Sequence, residues 1–262
     1  MNPKRSGQDK KNYHRIKSVP YTALAPIYNH VMRHVNYRQW AEYIQSLISK
    51  KNIKVQRILD VGCGTGNFIY EMNRMGYWID GCDPSEAMIE YARTKNPGLS
   101  FWVDKLPRLV HSPSATYQLL TCLYDTMNYL PSLEVYGLAL NRIYQLLQPG
   151  GYFVFDVVSE KFCQMYFHYA DEEEVVNSDF AYSRKSYYKK ATSQQVNHFT
   201  IYSPQGIFEE EHIQKILPYS KIKHLIIRET PFEIEAVFEN FSFDEAGANS
   251  DRAHFILKRT TS

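Results

Sequence analysis

The segment ILDVGCGTGNF, residues 58–68, places three glycines within five positions directly behind an apolar run. An apolar run, a glycine-rich turn and a helical pattern in this order predict a buried strand joined to a helix by a loop with almost no side chains. The missing Cβ atoms permit close approach of a ligand, and the turn points backbone N–H groups and the helix N-terminus toward it. Nucleoside cofactors use this geometry at the carboxyl edge of an open parallel sheet. The segment therefore predicts an α/β fold with a cofactor site.

Strand and helix patterns alternate on both sides of this turn. Strand-like runs lie at 55–61, 78–83, 99–103, 117–124 and 151–158, and helical patterns lie at 66–75, 85–95 and 133–147. Strands that are separated by helices need crossover connections, which give a parallel sheet with helices on both faces. Before the first strand, apolar residues recur three and four positions apart over 21–51, which predicts two amphipathic helices.

After about residue 165, strand patterns follow one another without an intervening helix. Three antiparallel strands are predicted by the runs SDFAYSRKSYYKK, QVNHFTIYS and EEEHIQKIL, with the clearest turn at 203–206. The acidic run 171–174 is expected to face solvent. The chain then returns to a helical pattern in PYSKIKHLIIRE and to strand patterns in FEIEAVFENF and AHFILKR.

The composition limits the classes of function. With 262 residues and 44% apolar side chains, the chain can bury a core. Lys and Arg number 30 against 28 Asp and Glu, so the net charge of +2 gives no field that attracts nucleic acid or an anionic membrane. The four scattered cysteines form no CxxC pair, which argues against a zinc site or disulfide framework and indicates a reducing compartment. Without a secretory or membrane-spanning run, we expect a cytoplasmic protein whose basic residues 1–19 form a flexible tail.

The glycine spacing distinguishes two cofactor classes. A dinucleotide fingerprint GxGxxG would place its third glycine at position 67, which is Asn67, whereas the glycines here follow the spacing GxGxG. Asp83 ends the second predicted strand, 21 residues after Gly62, where a carboxylate can accept hydrogen bonds from both ribose hydroxyls. The carboxylate suits either cofactor, but the spacing disfavours a nicotinamide dinucleotide.

Five segments, in order, resemble the successive motifs of class I S-adenosylmethionine-dependent methyltransferases: DVGCGTGNF, GCDPSEAMIEYAR, WVDKLP, LYDTMNYL and LLQPGGYFVFDV. The resemblance implies a Rossmann-like three-layer sandwich, with a mostly parallel seven-stranded sheet whose last strand is antiparallel. LYDTMNYL also resembles the DSLNYL stretch of a bacterial small-molecule subgroup that carries an antiparallel sheet between its fifth and sixth strands. The implied organisation is a methyltransferase domain over 20–165 and 212–262, with a helical lid at 20–51 and a β insertion at 166–211 over the acceptor site.

The resemblance implies S-adenosylmethionine as cofactor, with S-adenosylhomocysteine as product. Asp60 would lie along the methionine part, Asp83 on the ribose and Asp104 on the adenine amino group, although Asp60 alone is also compatible with a helix cap and Asp104 with a plain strand-end acid. Tyr21 and Tyr28 resemble the lid of small-molecule members, and their spacing of seven would place them on one helix face. The implied cofactor contacts are Tyr21, Tyr28, Asp60, Gly62, Cys63, Gly64, Gly66, Asp83, Pro84, Met88, Asp104, Lys105, Leu106 and Leu123.

Methyl transfer from a sulfonium is an in-line displacement, for which positioning and desolvation supply most of the rate. A general base is needed only where the acceptor arrives protonated. The candidates near the methyl group are Tyr124, Asp125, Asn128 and Tyr129. Asp125 and Asn128 could instead cap the following turn, and a strand histidine such as His198 or His212 is usually structural but could touch the acceptor. Asp125 with Asp156 makes too small a carboxylate cluster for a metal, so we expect none.

Three functions follow from these motifs. The favoured one is an enzyme that methylates nitrogen or oxygen of a small molecule. The alternatives are an RNA or protein methyltransferase, supported by the basic tail alone, and a catalytically inactive S-adenosylmethionine-binding regulatory module. We expect a monomer or homodimer with a small-molecule acceptor, without a nucleic-acid or membrane partner.

Overall fold

The computed structural model describes residues 15–113, 116–167, 170–248 and 250–261. The strands are β1 (Arg15–Lys17), β2 (Ile58–Val61), β3 (Ile79–Asp83), β4 (Phe101–Val103), β5 (Tyr117–Cys122), β6 (Leu147–Val158), β7 (Ala170–Val175), β8 (Ala181–Lys189), β9 (Gln194–Ser203), β10 (Gly206–Lys215), β11 (Phe232–Glu239) and β12 (Arg252–Arg259). The α-helices are α1 (Tyr28–Val31), α2 (Tyr37–Lys50), α3 (Asn67–Arg74), α4 (Glu86–Lys95), α5 (Leu133–Leu146), α6 (Glu160–Tyr166) and α7 (Tyr219–Glu229). Short 3-10 helices lie at Ala25–Ile27, Thr126–Tyr129 and Lys190–Thr192.

The larger sheet has seven strands in the order β11-β12-β6-β5-β2-β3-β4. The strands from β4 to β6 are parallel, and β12 is antiparallel to both of its neighbours. Helices α2, α3 and α4 bury apolar residues on one face, while α5 and α7 bury theirs on the other. The predicted three-layer fold with an antiparallel last strand is confirmed.

Local sequence explains the helix boundaries on these faces. Ser132 caps α5 by accepting a hydrogen bond from the Val135 N–H, and apolar side chains then follow at helical spacing. Ser85 caps α4 in the same way, immediately after the end of β3. The α4 cap thus fixes the chain beside the carboxyl edge of the sheet, where a cofactor is expected.

The smaller sheet has five strands in the order β1-β10-β9-β8-β7, two more than the three expected. The acidic run predicted to face solvent lies in β7, where its side chains alternate between half-buried and exposed. Residues 15–17 of the predicted flexible tail form β1, which pairs in parallel with β10. Residues 1–14 of that tail lie outside the described part of the chain. Strand β1 thus forms through pairing with a partner distant in sequence, whereas β7 pairs antiparallel with the next strand, β8.

The first of the two predicted N-terminal helices is much shorter than expected. Only α1 and a preceding 3-10 turn form, whereas Tyr21 has a left-handed φ of 66° and precedes both. The prediction that Tyr21 and Tyr28 share a helix face is therefore wrong. Within the described residues, no helix is long and apolar enough to cross a membrane.

Candidate functional site

A cavity of about 750 Å³ opens at the carboxyl ends of the parallel strands and continues beneath the smaller sheet. Its volume falls in the range of about 300–1,000 Å³ that is usual for ligand sites. All the predicted cofactor contacts line it except Gly66, and so do Tyr124 and Asp125, whereas Asn128 does not. One enclosed space thus joins the expected cofactor contacts to residues of the inserted sheet.

The glycine turn between β2 and α3 depends on the absence of side chains. Gly62, Gly64 and Gly66 have φ values of 78°, 53° and 74°, which favour glycine. A Cβ on Gly62 would lie 2.5 Å from Thr126 Cγ2, and one on Gly66 would lie 2.6 Å from Asn96 Nδ2. Gly66 therefore does not line the cavity, and its missing side chain instead allows α4 to pack closely against the turn.

The backbone donors of this turn are used inside the protein. The N–H groups of Gly62 and Cys63 both donate to the Cys82 carbonyl at 2.8 and 3.0 Å, and the Gly66 N–H donates to the Cys63 carbonyl at 3.0 Å. The expectation that these amides point at a ligand is therefore wrong. A turn whose donors are occupied is a poor cradle for phosphate, but its carbonyl side suits a cationic group.

Asp83, at the end of β3, is buried and holds the turn in place. Its Oδ2 accepts the Gly64 N–H at 3.0 Å, and its Oδ1 accepts the Ser85 N–H at 2.9 Å. Burial raises the pKa of Asp83 to about 6, although the two backbone hydrogen bonds oppose the rise. Each carboxylate oxygen can accept a second hydrogen bond, so the group retains capacity for two donors from a ligand.

Asp60, in β2, is a second buried carboxylate on the same cavity wall. Its Oδ1 accepts a hydrogen bond of 2.6 Å from Thr121 Oγ1, so the alternative of a helix cap is not what the side chain does here. Burial raises the pKa of Asp60 to about 7, with the Thr121 hydrogen bond opposing the rise and the charge of Asp83 adding to it. A positively charged ligand would reverse that rise and favour the carboxylate.

Asp104 has a different role from the one its motif implies. Its Oδ1 accepts the N–H groups of Lys105 and Val110, both at 3.0 Å, and its Oδ2 accepts the His111 N–H at 2.8 Å and Ser112 Oγ at 3.3 Å. These four donors fill the usual acceptor positions of a carboxylate. Asp104 thus organises the loop that carries Lys105, and it has no free lone pair for an adenine amino group.

Tyr21 and Tyr28, the two tyrosines of the predicted lid, contact each other although they do not lie on one helix. The Tyr21 N–H donates to Glu210 Oε2 at 2.7 Å, and its carbonyl accepts from Ser85 Oγ at 2.8 Å. The ring of Tyr21 meets that of Tyr28 edge to face, with centroids 5.9 Å apart. A Cβ on Gly64 would lie 3.8 Å from Tyr28 Cε1, so the Tyr28 ring stands directly over the turn.

Asn67, the residue that departs from the dinucleotide spacing, connects the turn to the lid. Its Nδ2 donates to Asn29 Oδ1 of α1 at 2.9 Å, and Thr65 Oγ1 donates to the same oxygen at 2.7 Å. Lys95, in α4, donates to the side-chain oxygen Oδ1 of Asn67. The amide therefore locks α1 against the glycine turn.

Asp125, predicted as a catalytic candidate, belongs to a buried ionic cluster. Arg252 donates to Asp125 Oδ1 at 3.0 Å and to Asp156 Oδ2, and Gln214 Nε2 donates to Asp125 Oδ2 at 2.5 Å. The guanidinium also lies over the Tyr124 ring, 5.4 Å from its centroid. Burial raises the pKa of Asp156 to about 6, opposed by the charge of Arg252. Internal donors thus occupy both carboxylate oxygens of Asp125.

Asn128 does not line the cavity, and its side chain links two strands by hydrogen bonds. Its Nδ2 donates to the Lys215 carbonyl at 3.1 Å, and its Oδ1 accepts the Val158 N–H at 3.3 Å. The fully buried amide thereby fastens β10 to the end of β6. Its predicted catalytic role is wrong for this reason.

Of the row of buried polar residues on β10, sequence reasoning named His212 and missed Glu210 and Gln214, whose only signal was strict alternation with outward residues. Glu210, His212 and Gln214 are buried on the face turned toward the cavity, while the residues between them are exposed. His198, in β9, does not line the cavity. Among the described residues, no group of three His, Cys, Asp or Glu side chains could hold a metal ion.

Comparisons with known proteins agree with this architecture. A family model described as "Methyltransferase domain" matches residues 58–151. The protein named "Putative methyltransferase YqeM" from Bacillus subtilis (strain 168) is 25% identical over 92% of this chain and 97% of its own length.

Solved structures match over nearly the whole chain. An S-adenosylmethionine-dependent methyltransferase from Clostridium acetobutylicum superposes with a TM-score of 0.75 at 19% identity, covering 90% of this chain and 98% of its own. The sugar N-methyltransferase KedS8 from Streptoalloteichus has a TM-score of 0.68 at 17% identity, covering 97% and 98%. CalS10, an amino pentose methyltransferase from Micromonospora echinaspora, has a TM-score of 0.65 at 18% identity with S-adenosylmethionine bound, covering 89% and 95%. The methyltransferase domain matched over residues 58–151, the sheet order and the glycine turn support a class I S-adenosylmethionine-dependent methyltransferase with S-adenosylmethionine as its cofactor.

Proposed function

We propose that the chain methylates a nitrogen or oxygen atom of a small molecule that is enclosed beside the cofactor. The observation that carries this proposal is the single cavity that runs from the glycine turn to the inner face of the inserted sheet. S-adenosylmethionine supplies a methyl group on a positively charged sulfur and leaves as neutral S-adenosylhomocysteine. The protein's task is to orient the acceptor and exclude water.

The cofactor half of the cavity fits this molecule. Asp83 has the spare acceptor capacity that two ribose hydroxyls need, and Asp60 supplies negative charge near the turn, where the methionine ammonium would lie. Met88 and Leu106 add apolar surface for the ribose and the adenine ring. Since the carboxylate of Asp104 is saturated, the adenine edge would meet the backbone of the loop that Asp104 organises.

The acceptor half is built for a small, largely uncharged molecule. Its walls carry aromatic side chains from the lid, the loop after β5, α6 and the inserted sheet, which are Tyr21, Tyr28, Tyr37, Trp40, Tyr124, Tyr129, Phe162, Phe167 and Phe199. Rings of this kind bury large apolar areas and exclude water. Asp125, the acidic side chain beside them, is paired with Arg252.

The inserted sheet supports a small-molecule acceptor over RNA or protein. It covers the cavity from the side opposite the parallel sheet, so a macromolecular acceptor would have to insert one group through the lid. The relatives KedS8 and CalS10 have names that specify a sugar and an amino pentose, which supports a small acceptor. The basic tail, which was the support for RNA, lies largely in residues 1–14, outside the described chain.

The test supplies S-adenosylmethionine with a trideuterated methyl group to the purified chain, together with a metabolite extract, total RNA or total protein from the native host. We expect the labelled methyl mass in a small molecule of the extract. A chain that begins at residue 15 should act equally well, because β1 and the sheet over the cavity are retained. Label in RNA or protein that depends on residues 1–14 would overturn the small-molecule proposal. Cofactor binding without transfer to any pool would favour the regulatory module.

A further inference from the structure

The inner face of β10 carries polar groups where a sheet that covers an apolar cavity would normally carry apolar ones. Glu210 has no exposed surface, and His212 has 2% of its surface exposed. The two side chains pair with each other rather than with a charged residue at the surface. Across the sheet they stand opposite Phe199 and Asn197 of β9, which also line the cavity. A buried acid and imidazole at the acceptor end require a reason.

Glu210 is held as a carboxylate by an unusual number of donors. Its Oε1 accepts the N–H groups of Thr22, Ala23 and Leu24 at 3.1, 2.6 and 3.1 Å, and its Oε2 accepts the Tyr21 N–H at 2.7 Å. Burial alone would raise the pKa of Glu210, but the interaction with His212 and these backbone donors outweigh it and leave the pKa below its usual value. The result is a fixed negative charge behind the lid.

His212 is oriented by that charge. Its Nε2 lies 3.1 Å from Glu210 Oε2, and because an ionised carboxylate only accepts, Nε2 must carry a proton. In neutral imidazole the other nitrogen, Nδ1, is then an acceptor. Nδ1 lies 3.5 Å from the Tyr129 hydroxyl, and Tyr129 is 2.6 Å from the Tyr21 hydroxyl. The basic nitrogen therefore faces two hydroxyls that line the cavity.

On the basis of the proposed function, we propose that His212 is the general base for an acceptor hydroxyl and that Glu210 is the residue that positions it. The acceptor O–H gives its proton to Nδ1, directly or through the hydroxyls of Tyr129 and Tyr21. The oxygen lone pair forms the new O–C bond, while the electrons of the broken S–C bond stay on sulfur. The imidazolium that results is balanced by Glu210 until its proton passes to solvent.

The surroundings favour a hydroxyl over the other acceptor groups. A hydroxyl such as a phenol, with a pKa of about 10, needs a base at neutral pH, whereas a carboxylate arrives ionised and needs none. An ammonium group would require a free carboxylate, and the one in this half of the cavity, Asp125, is bound by Arg252 and Gln214. The hydroxyls of Tyr21 and Tyr129 and the acceptor nitrogen Nδ1 of His212 can hydrogen-bond to the hydroxyl of an acceptor molecule.

The first test needs no acceptor. In nitrogen-15 NMR of the protein with S-adenosylhomocysteine bound, His212 at neutral pH should show a protonated Nε2 and a bare Nδ1. Glu210→Gln keeps an acceptor oxygen but removes the charge, so the hydrogen bond of the Nε2–H group should weaken and the nitrogen-15 signal of Nε2 should shift. His198 is the internal control, because it lies off the cavity and its signals should not move.

The groups that face His212 are known, so a change in its NMR signals can be assigned to one of them. Glu210 lies on its own strand, Tyr21 lies 4.4 Å from its ring in the lid, and Tyr129 comes from the turn after β5. From β9 it meets the uncharged Phe199 and Asn197. Glu210 is the charge among these groups, so a carboxylate effect on the imidazole belongs to it. A proton on Nδ1 at neutral pH, or an Nε2 signal that is the same in Glu210→Gln as in the wild type, would overturn the proposal.

The second test uses the extract fraction that the wild-type chain methylates. His212→Gln should lower kcat by about 10²-fold to 10⁴-fold, with S-adenosylmethionine affinity and thermal midpoint nearly unchanged. The loss should shrink at high pH, where the acceptor hydroxyl ionises without help. His198→Gln, in the same sheet, should leave kcat unchanged. If His212→Gln keeps wild-type kcat across the pH range, or the product is methylated on nitrogen, the inference fails. If no pool is methylated, the proposed function fails, and NMR still decides the state of His212.

Discussion

Replacing Asp83 with asparagine tests the centre of the cofactor site. An ionised carboxylate that accepts two ribose hydroxyls makes two charge-assisted hydrogen bonds, each worth about 1.5–3 kcal/mol. Asparagine removes the charge and turns one oxygen into a donor, which would face the N–H of Gly64 or Ser85. We expect a loss of about 3–6 kcal/mol in cofactor binding, or about 10²-fold to 10⁴-fold in Kd.

The stability of the empty protein should change far less than its affinity. The rise in the pKa of Asp83 from 3.8 to about 6 means that ionising this buried group costs about 3 kcal/mol. Its contribution to stability is present below its unfolded pKa and is lost as the pH rises through about 6. Asp83→Asn removes this cost and leaves one backbone N–H without its acceptor, at about 1–3 kcal/mol. The two effects offset each other at neutral pH.

Calorimetric titration of S-adenosylmethionine from about pH 5 to about pH 8 provides the assay. Wild-type affinity should weaken as the pH falls below about 6, because the bound ribose requires the carboxylate. In Asp83→Asn this dependence should be weaker and should retain only the contribution of Asp60, whose pKa is about 7. The control is Asp80→Asn, which removes a buried carboxylate of the same strand that pairs with Arg57 outside the cavity. It should lower stability and spare affinity. An Asp83→Asn protein that folds and binds within about threefold of wild type would refute the ribose assignment.

Two further substitutions address the turn and the ionic cluster. Gly62→Ala places a Cβ at a φ of 78° and 2.5 Å from Thr126 Cγ2, so urea unfolding should show a loss of about 1–3 kcal/mol, which Thr126→Ser in the same chain should partly restore; an unchanged midpoint would contradict the contact. Arg252→Met leaves the carboxylates of Asp125 and Asp156 without their cationic partner. We expect the free energy of unfolding to fall by about 3–5 kcal/mol at neutral pH, measured by thermal unfolding. Beside Arg252 the pKa of Asp156 is about 6, and loss of the guanidinium should raise that pKa further. The deficit should therefore shrink as the pH falls and Asp156 takes up a proton, and a deficit that is independent of pH would argue against charge as its cause.

The parallel core could be predicted from the sequence because its signals are local. The glycine turn at 62–66 and the alternation of strand and helix patterns each depend on neighbouring residues, and they gave the sheet, the layers and the cofactor edge. The site of Asp83 followed from its position at a strand end. The roles of Asp104 and Asn128 did not follow, because their partners, such as Lys215, are brought close only by the folded loops.

The acceptor side depends on contacts between residues that lie far apart in the chain. Strand β7 is rich in glutamate, which has a low preference for strands. It pairs with the adjacent strand β8, and Glu174 also accepts a hydrogen bond from Arg33, 141 residues away in the chain. On β10 the usual order is inverted, with charged Glu210 inside and apolar Ile213 partly outside. A prediction that places apolar residues inside would assign the wrong face of this strand to the cavity. The inversion has a reason in the structure, because the backbone N–H groups of residues 21–24 and the His212 ring share the carboxylate of Glu210. A conflict between the apolar pattern and the observed burial is therefore itself a signal of function.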